Sequence, residues 1–437
     1  MSSIAEVKLW GKTIGAVVLE DNRDVAIFEY DPSFTQSGIE VSPLEMPLSS
    51  RVYSFPALSR KSFHGLPGLL ADSLPDKYGN ALIDEWLARQ GRSGDSMNAV
   101  ERLCYTGKRG MGALEYIPAT GPNRSSSSVL DISKLVDLAS KVLSSRSGLN
   151  ATFGNDDVTE NALKEILRVG TSAGGARAKA VIAWNPETEE VRSGQIKAPP
   201  GFEYWLLKFD GVSSNKDKEK LDDPEGFGLI EYAYYLMAKD TGIKMSECRL
   251  LKENNRSHFM TRRFDRLPDG KKVHMQSLAA LAHFDFNVPG INSYEQAMMV
   301  ARRIGVSVGT CEQLFRRMAF NIIARNQDDH VKNIAFLMDQ RGNWELSPAF
   351  DMVYSYNPEG NWTDAHQMMM NGKRDGFDLN DFVVCAKSAG LKQGQGAKIV
   401  RDIQAVVDRW LKYAEKAGVD GKSAKSIAAA HRKIINS

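Results

Sequence analysis

The fold is decided by the polar segment Asn326-Gln327-Asp328-Asp329-His330-Val331-Lys332-Asn333, because this segment joins a predicted long helix to a predicted β-hairpin. Asp328 precedes Asn333 by five positions, which is the spacing of the protein-kinase catalytic loop. In such a loop a carboxylate orients the attacking hydroxyl, and an amide oxygen ligates Mg²⁺, which prefers hard oxygen ligands. The order of helix, polar loop and hairpin therefore predicts a site for phosphoryl transfer.

A second carboxylate follows the hairpin, in the run Pro348-Ala349-Phe350-Asp351, and it is suited to hold a metal ion. The phenylalanine precedes this aspartate, whereas in protein kinases it follows. Only one of the adjacent acids Asp328 and Asp329 can face a substrate hydroxyl. The alternative interpretation is a polar loop whose Asp and Asn side chains only cap turns.

A cation for nucleotide phosphates is predicted at Lys208, which ends the apolar run Tyr204–Leu207. A buried lysine is costly unless an anion pairs with it, and Glu231 on the following predicted helix is the candidate partner. The alternative is a lysine at a strand end whose ammonium group reaches water.

Two further segments suit nucleotide binding. Gly170–Lys179 contains small residues, among them Gly174 and Gly175, that let backbone N–H groups approach a phosphate. It is not a Walker A loop, because Ala176 rather than lysine follows Gly175. We predict a flexible glycine-rich loop, with a plain turn as the alternative. Met260–Arg266 suits a hinge whose backbone binds an adenine edge, with an exposed strand edge as the alternative.

The composition excludes several classes of protein. The 437 residues are 42% hydrophobic and 25% charged, which excludes a disordered or fibrous chain. The 56 Lys and Arg nearly balance the 54 Asp and Glu, so no overall charge favours nucleic acid. Four separated cysteines form no metal or disulfide pattern, which predicts free buried thiols. Without a signal peptide or a transmembrane run, we expect a cytoplasmic protein with no membrane contact.

Hydrophobic periodicity predicts an α/β region, then a sheet, then a helical half. The predicted strands are Glu6–Leu9, Ala16–Leu19, Val25–Tyr30, Lys179–Trp184, Val191–Lys197 and Tyr204–Phe209. The predicted helices before residue 276 cover Asp76–Arg89, a segment from about Asp131, Thr159–Val169 and Leu229–Lys239. Beyond it we predict helices with capping boxes at Ser293–Gln296 and Thr310–Gln313, and one lone hairpin over Ile334–Leu346.

Together these motifs resemble the HipA family, the serine/threonine kinase toxins of bacterial type II toxin–antitoxin systems. The resemblance covers nearly the whole chain, through Leu69–Asp76, Gly107–Glu115, Gly174–Lys179, Leu206–Lys208, Arg263–Arg266, Asp328–Asn333 and Leu346–Asp351. It implies an α+β, protein-kinase-like (HipA-like) two-lobed fold with an additional N-terminal α/β subdomain. The expected boundaries are 1–120 for that subdomain, 121–150 for a linker and helix, 151–265 for the N-lobe with its glycine-rich loop and hinge, and 266–437 for the helical C-lobe.

The resemblance also implies ATP and Mg²⁺ as cofactors and a role for each site residue. Asp328 would be the catalytic base, and Asn333 and Asp351 would hold Mg²⁺. The residues expected to bind ATP are Gly174, Gly175, Lys179, Lys208, Arg262, Phe264, His330, Lys332 and Phe350, with Glu231 as the partner of Lys208. Ser172 matches a serine whose autophosphorylation silences the kinase.

The partners implied by the resemblance are a HipB-like DNA-binding antitoxin, DNA bound only through that complex, and a translation-related protein substrate. The best-known family substrate is an aminoacyl-tRNA synthetase, the glutamyl enzyme. Two alternatives remain open: a catalytically weak co-repressor with a kinase fold, and a small-molecule kinase. The chain departs from the family pattern in the loop Gly175–Lys179 and in His274–Ala279, which lacks an expected acidic pair.

Overall fold

The computed structural model describes residues 2–122, 129–146, 165–167, 169–170, 177–212, 226–307 and 309–434. Its first sheet contains β1 (Ser3–Leu9), β2 (Lys12–Leu19), β3 (Ile27–Tyr30) and β4 (Leu114–Ile117). These strands are antiparallel in the order β3-β2-β1-β4, so the strands predicted in this region are confirmed. Ala5, Val7 and Leu9 alternate with more exposed side chains in β1, as a sheet with one buried face requires.

Helices accompany this first sheet and continue past it. They are α1 (Pro32–Thr35), α2 (Arg60–Phe63), α3 (Gly68–Ala71), α4 (Lys77–Arg89), α5 (Ala99–Thr106) and α6 (Ile132–Arg146). The predicted helix over Asp76–Arg89 is confirmed as α4. Asp76 caps it by accepting a hydrogen bond from the backbone N–H of Gly79 at 2.6 Å.

The second sheet forms the N-lobe and carries the predicted lysine. Its strands are β5 (Lys179–Trp184), β6 (Val191–Ser193), β7 (Glu203–Lys208), β8 (Cys248–Glu253) and β9 (Arg256–Arg262), in the antiparallel order β6-β5-β7-β9-β8. Three of them confirm predicted strands, although β6 ends at Ser193 rather than Lys197. Helix α7 (Phe227–Asp240) packs on β8 and β9, which brings Glu231 to the end of β7.

A third sheet corrects the prediction of a lone hairpin. It consists of β10 (His274–Ser277), β11 (Ala335–Met338) and β12 (Trp344–Leu346), with β10 pairing antiparallel to β11. The hairpin therefore has a third strand. Three of the four side chains of β10 are polar, which gave no clear alternation in the sequence. Its pairing with β11 spans about sixty residues, so tertiary contacts define this strand.

Helices dominate the C-lobe, as predicted. They are α8 (Leu278–Ala282), α9 (Tyr294–Arg303), α10 (Gly309–Ile323), α11 (Leu379–Ser388), α12 (Gln395–Val407), α13 (Trp410–Ala417) and α14 (Gly421–Ala430). The capping box of Ser293 and Gln296 is confirmed at α9. The box predicted at Thr310 was wrong, because α10 already includes Gly309 and the side chain of Gln313 accepts from the N–H of Lys244.

The N-terminal region docks on the kinase part through buried polar contacts. The backbone N–H of Gly112 donates to Asp265 at 2.7 Å, and Arg266 donates to the carbonyl oxygens of Gly110 and Gly112 at 3.0 Å each. The glycine turn Gly107–Gly112 therefore contacts the segment Arg263–Arg266, and we call it the docking turn. Within that segment, Arg263 and Arg266 both bind the Asp265 carboxylate.

Some predictions lie outside the described residues. They are residues 123–128 and 147–150 of the expected linker and helix, most of the helix over Thr159–Val169, and the glycine-rich positions Ser172, Gly174 and Gly175. All four cysteines are free and buried, as predicted. Among the helices of the described ranges, none combines the length and the apolar character needed to cross a bilayer.

Candidate active site

The polar loop after α10 exposes one of its two aspartates. The backbone reverses at Arg325, whose φ is +57°, and the chain enters a short 3₁₀ turn over Val331–Asn333. Asp328 precedes that turn with 35% of its side chain exposed. Asn333 ties the turn together by donating its side-chain N–H to the carbonyl oxygen of Asp328 at 2.9 Å. The loop therefore leaves the Asp328 carboxylate partly exposed.

The neighbouring Asp329 points inward and is fully engaged. Its carboxylate accepts from the hydroxyl of Tyr294 at 2.6 Å and from the backbone N–H of Gln367 at 2.7 Å, and it lies 2.8 Å from Nδ1 of His366. Burial alone would raise the pKa of Asp329, but His366 and these donors hold it below its usual value. Asp329 is thus a structural anchor of the loop at the wall of the cavity, and Asp328 is the more exposed of the two acids.

A largely buried ion cluster surrounds Lys208 and includes Asp351, which lines the cavity. Nζ of Lys208 lies 2.6 Å from Oε1 of Glu231 and also contacts Oδ1 of Asp351. Arg177 reaches the other oxygen of Glu231 at 3.4 Å. The structure therefore brings Lys208 and Glu231 together as the sequence predicted, and it adds Asp351 to the same cluster.

Electrostatics keep this cluster ionised at Lys208 and Asp351. Burial would lower the pKa of Lys208, but Asp351 and Glu231 more than offset it and raise that pKa. Burial would raise the pKa of Asp351, yet Lys208 outweighs it and holds that pKa below its usual value. The pKa of Glu231 is raised by complete burial, against which Lys208 and Arg177 act.

Lys179 has a different partner from the one predicted for it. Its Nζ lies 2.8 Å from Oδ2 of Asp76, the cap of α4, and both side chains are buried. The pKa of Asp76 is raised by burial, and Lys179 opposes that rise. This ion pair links the N-terminal region to the strand that follows the glycine-rich segment.

The predicted hinge residues point in two directions. Phe264 packs against Phe350 with their ring centroids 5.7 Å apart, which brings together two residues predicted to bind ATP. The Arg262 side chain instead lies outside the cleft, 3.1 Å from Oε1 of Glu203 and 3.5 Å from Oε2 of Glu247. The backbone N–H of Arg262 is engaged as well, because it donates to the carbonyl oxygen of Glu247 at 2.8 Å.

His330 and Lys332 lie on the lip of the cleft. Nε2 of His330 is 3.8 Å from Oδ1 of Asp328, and Nζ of Lys332 sits 4.7 Å from the centroid of the Phe286 ring. Nδ1 of His330 is buried and has no hydrogen-bond partner in the described part of the chain. His330 therefore lies beside Asp328, and Lys332 lies over the Phe286 ring, whose centroid is 6.2 Å from that of His330.

One cavity brings several of these residues together and offers oxygen ligands for Mg²⁺. Its lining includes Asn326, Asp329, His330, Asn333, Phe350 and Asp351. Asn333 donates its side-chain N–H to the carbonyl oxygen of Asp328, so its side-chain amide oxygen takes no part in that hydrogen bond. An amide oxygen and a partly exposed carboxylate suit a hard cation. Across the described ranges, no group of three or more His, Cys, Asp or Glu side chains is placed to hold a metal ion.

The sequence analysis did not predict the loop that holds Asp328 and Asp329 in place. Trp362 donates its indole N–H to Oδ1 of Asp328 at 2.7 Å, and His366 and Gln367 hold Asp329. Gln367 also donates to the carbonyl oxygen of Gln327 at 3.3 Å. The only available signal was a run with Trp, His and Gln soon after Asp351, which matches no general motif.

Comparisons with known proteins agree with this architecture. The family model of the HipA N-terminal domain matches residues 5–117, and that of the HipA-like C-terminal domain matches residues 171–410. A solved structure from Shewanella oneidensis MR-1, of the toxin–antitoxin system HipA, HipB and its operator DNA complex, aligns with a TM-score of 0.64. The two chains are 16% identical, and the alignment covers 98% of this chain and 94% of that one. This similarity shows the fold: an α+β, kinase-like architecture with an additional N-terminal region.

Other similarities are shorter or weaker. A Sinorhizobium fredii protein described as "Putative kinase Y4dM" is 31% identical over 96 residues, which are 21% of this chain and 22% of that protein. The Helicobacter pylori proinflammatory kinase CtkA aligns over 52% of this chain and 92% of its own at 10% identity, with a TM-score of 0.30. The two family models together span most of the sequence, and the chain belongs to the HipA family.

Proposed function

We propose that this chain is a Mg·ATP-dependent serine/threonine-protein kinase and the toxin of a HipBA-type toxin–antitoxin system. One observation carries the proposal: Asp328 is partly exposed beside His330, and His330 lines the same cavity as Asp351, which contacts Lys208. A base, a metal-binding carboxylate and a phosphate-binding cation are the groups that phosphoryl transfer requires.

The acceptor hydroxyl attacks the γ-phosphoryl group in line, and the bond from the γ-phosphorus to the bridging oxygen of ADP breaks. Asp328 orients that hydroxyl and takes its proton. Lys208, fixed by Glu231, neutralises charge on the phosphates. Bound through Asn333 and Asp351, Mg²⁺ would supply charge neutralisation and phosphate alignment. Phe264, Phe350, His330 and Lys332 enclose the nucleotide.

The regulatory and partner roles extend the proposal. Autophosphorylation of Ser172 would switch the kinase off, because a dianionic phosphate on a loop of small residues favours pairing with arginine over the nucleotide-covering pose. The solved relative was studied with HipB and operator DNA, and a HipB-like antitoxin that carries this chain to DNA is part of the proposal. The substrate is a translation-related protein, of which an aminoacyl-tRNA synthetase is the first candidate.

The test is incorporation of labelled phosphate from Mg·ATP, followed by mapping of the labelled residue. Asp328→Asn should reduce incorporation about 10³-fold, in line with the loss of a general base. Ser172→Ala should reduce self-labelling, while Asp364→Asn, which changes an exposed acid of the same supporting loop as Trp362, should leave it intact. No incorporation by unphosphorylated protein that still binds ATP would contradict the proposal and favour a kinase-fold co-repressor.

A further inference from the structure

The C-terminal segment Ala430–Ile434 contacts the turn between α10 and the polar loop. The backbone N–H of Arg432 donates to the carbonyl oxygen of Ile323 at 3.0 Å. The carbonyl oxygen of Ala430 accepts from Nε of Arg325 at 2.9 Å. Ile323 is the last residue of α10, and Arg325 is the residue at which the backbone reverses. The C-terminal segment therefore holds the chain at the point where it leaves α10.

The reversal at Arg325 needs such support. Its φ of +57° lies in the left-handed region, where a residue with a Cβ is strained, and such a conformation persists only when its surroundings over-determine it. Besides the bond to the C-terminal segment, Nη1 of Arg325 donates to Oε1 of Gln327 at 2.9 Å. The hydroxyl of Tyr234 donates to the carbonyl oxygen of Ala324 at 2.6 Å and lies 3.0 Å from Nε2 of His431. The segment thus supports the reversal from two sides.

Gln327 connects the C-terminal segment to the proposed base. Its Oε1 accepts from Nη2 of Arg432 at 3.2 Å, in addition to the bond from the reversal. Its Nε2 donates to the carbonyl oxygen of Thr363 at 3.1 Å. Thr363 directly follows Trp362, whose indole holds Asp328, and Gln327 itself directly precedes Asp328. The buried amide of Gln327 therefore joins the backbone that carries Asp328 to the loop that orients its carboxylate.

Arg432 is held from several sides with one nitrogen directed at that amide. Only 8% of its side chain is exposed, and its Nη1 contacts the carboxylate of Asp375, which is half-exposed. The guanidinium carbon lies 5.3 Å from the centroid of the Phe377 ring. Burial and the charge of Arg325 lower the pKa of Arg432, and Asp375 opposes this effect. A hydrogen bond from a charged donor is stronger than one between neutral groups, so Arg432 fixes the Gln327 amide firmly.

We infer that Arg432 is a positioning residue for phosphoryl transfer, which acts on Asp328 through Gln327. This inference rests on the proposed function, because it assigns a role in the same reaction. Among the described residues that line the cavity, none belongs to the C-terminal segment. The segment therefore influences the rate of transfer, through the position of the base, and leaves nucleotide binding unchanged. A base displaced by about 1 Å can cost about 100-fold in rate.

The experiment compares Arg432→Met with Lys433→Met in the full chain. Methionine removes the donors of either side chain and keeps much of its length. Lys433 is the matched control, since it is adjacent in sequence, largely exposed and paired with Asp408 at the surface. The single-turnover rate of transfer and the dissociation constant for Mg·ATP are measured below the melting temperature of each variant. Arg432→Met should slow transfer about 10- to 100-fold and change the dissociation constant less than about twofold. Lys433→Met should change neither.

The possible outcomes separate this inference from the proposed function. If the wild type transfers phosphate and Arg432→Met transfers it equally fast, the inference alone is wrong. Equal losses in both variants, or a loss of Mg·ATP affinity as large as the loss of rate, would also overturn it alone. An unphosphorylated wild-type chain that transfers no phosphate would overturn the proposed function and this inference together.

A second variant serves if Arg432→Met does not fold. Asp375→Ala removes the half-exposed carboxylate that contacts Arg432, and it leaves the buried side chains in place. It should slow transfer about fivefold at unchanged affinity for Mg·ATP, because the guanidinium is then less firmly oriented. A wild-type rate in Asp375→Ala would overturn the inference.

Discussion

The indole N–H of Trp362 donates to Oδ1 of Asp328 at 2.7 Å, so a residue from the loop after Asp351 holds the proposed catalytic base. The same loop reaches the adjacent Asp329 through His366 and Gln367. Two neighbouring acids thus receive different environments from one supporting loop. One is held at the edge of the cleft, and the other is fully hydrogen-bonded in the core.

Replacing Trp362 should slow phosphoryl transfer without weakening nucleotide binding. Trp362→Phe keeps an aromatic ring but removes the donor that orients Asp328. A hydrogen bond to a charged group contributes about 1.5–3 kcal/mol, so we expect kcat to fall about tenfold or more while KM for ATP stays near the wild-type value. Steady-state kinetics check this. An unchanged kcat in a variant with wild-type thermal stability would show that the indole contact does not position the base.

The ion cluster of Lys208 and Glu231 makes a prediction about stability. Lys208→Met leaves the buried Glu231 and the partly exposed Asp351 without their main cation, which should lower the free energy of unfolding by about 3–5 kcal/mol. The double variant Lys208→Met with Glu231→Gln removes one stranded charge and should recover a good part of that loss, without recovering kinase activity. Urea unfolding of both variants gives the comparison. A double variant no more stable than the single one would refute the coupling.

Much of this cluster could be predicted from the sequence, and the reason is local. Lys208 ends an apolar strand and Glu231 lies on the next helix, so burial forces an opposite charge to meet the lysine. The contacts that escaped prediction are long-range. Lys179 pairs with Asp76 across 103 positions, and Trp362 reaches back to Asp328 across 34, and neither distance leaves a periodic trace in the sequence.

Other differences have equally specific causes. Arg262 was expected at the nucleotide, but β9 turns its side chain to the acids on the outer surface. Strand β10 was missed because Met275 is its one apolar residue, so its four residues show no alternation. The resemblance assigns the base to Asp328, whereas the residues alone do not separate Asp328 from Asp329, because the environment of Asp329 depends on Tyr294 and His366, which lie on other segments. The boundaries expected at 120, 150 and 265 stay predictions.

The docking turn of the N-terminal region depends on one carboxylate. Asp265 binds Arg263, Arg266 and the N–H of Gly112, and these partners hold its pKa well below the usual value against the effect of burial. Asp265→Asn should therefore lower the free energy of unfolding by about 3–5 kcal/mol, because it leaves two guanidinium groups buried without an anion. The matched variant Asp269→Asn, at an exposed acid beside Lys271, should change it by less than about 0.5 kcal/mol. Equal effects in thermal unfolding would refute the role of Asp265.

His283 should make stability depend on pH. Burial lowers its pKa to about 4, and its neutral Nε2 accepts from the N–H of Gly68 at 3.0 Å. The unfolded chain takes up this proton near pH 6.5, so the contribution is complete above that pH and is lost as the pH falls towards 4, by up to about 3 kcal/mol.

A variant isolates this histidine from the other titrating groups. His283→Asn removes the titration and suits the left-handed backbone at φ 51°. The difference in unfolding free energy between pH 7 and pH 4.5 should be smaller in this variant than in the wild type. The same difference in both proteins would assign the pH dependence to other groups.

The most direct test of the central claim separates nucleotide binding from transfer at Asp328. The dissociation constant for Mg·ATP and the single-turnover rate of phosphoryl transfer are measured on the same preparations of wild type and Asp328→Asn. The account predicts equal affinity for Mg·ATP and a rate that falls about 10³-fold in the variant. A variant that transfers phosphate at the wild-type rate would contradict it, because Asp328 would then not be the base of this site.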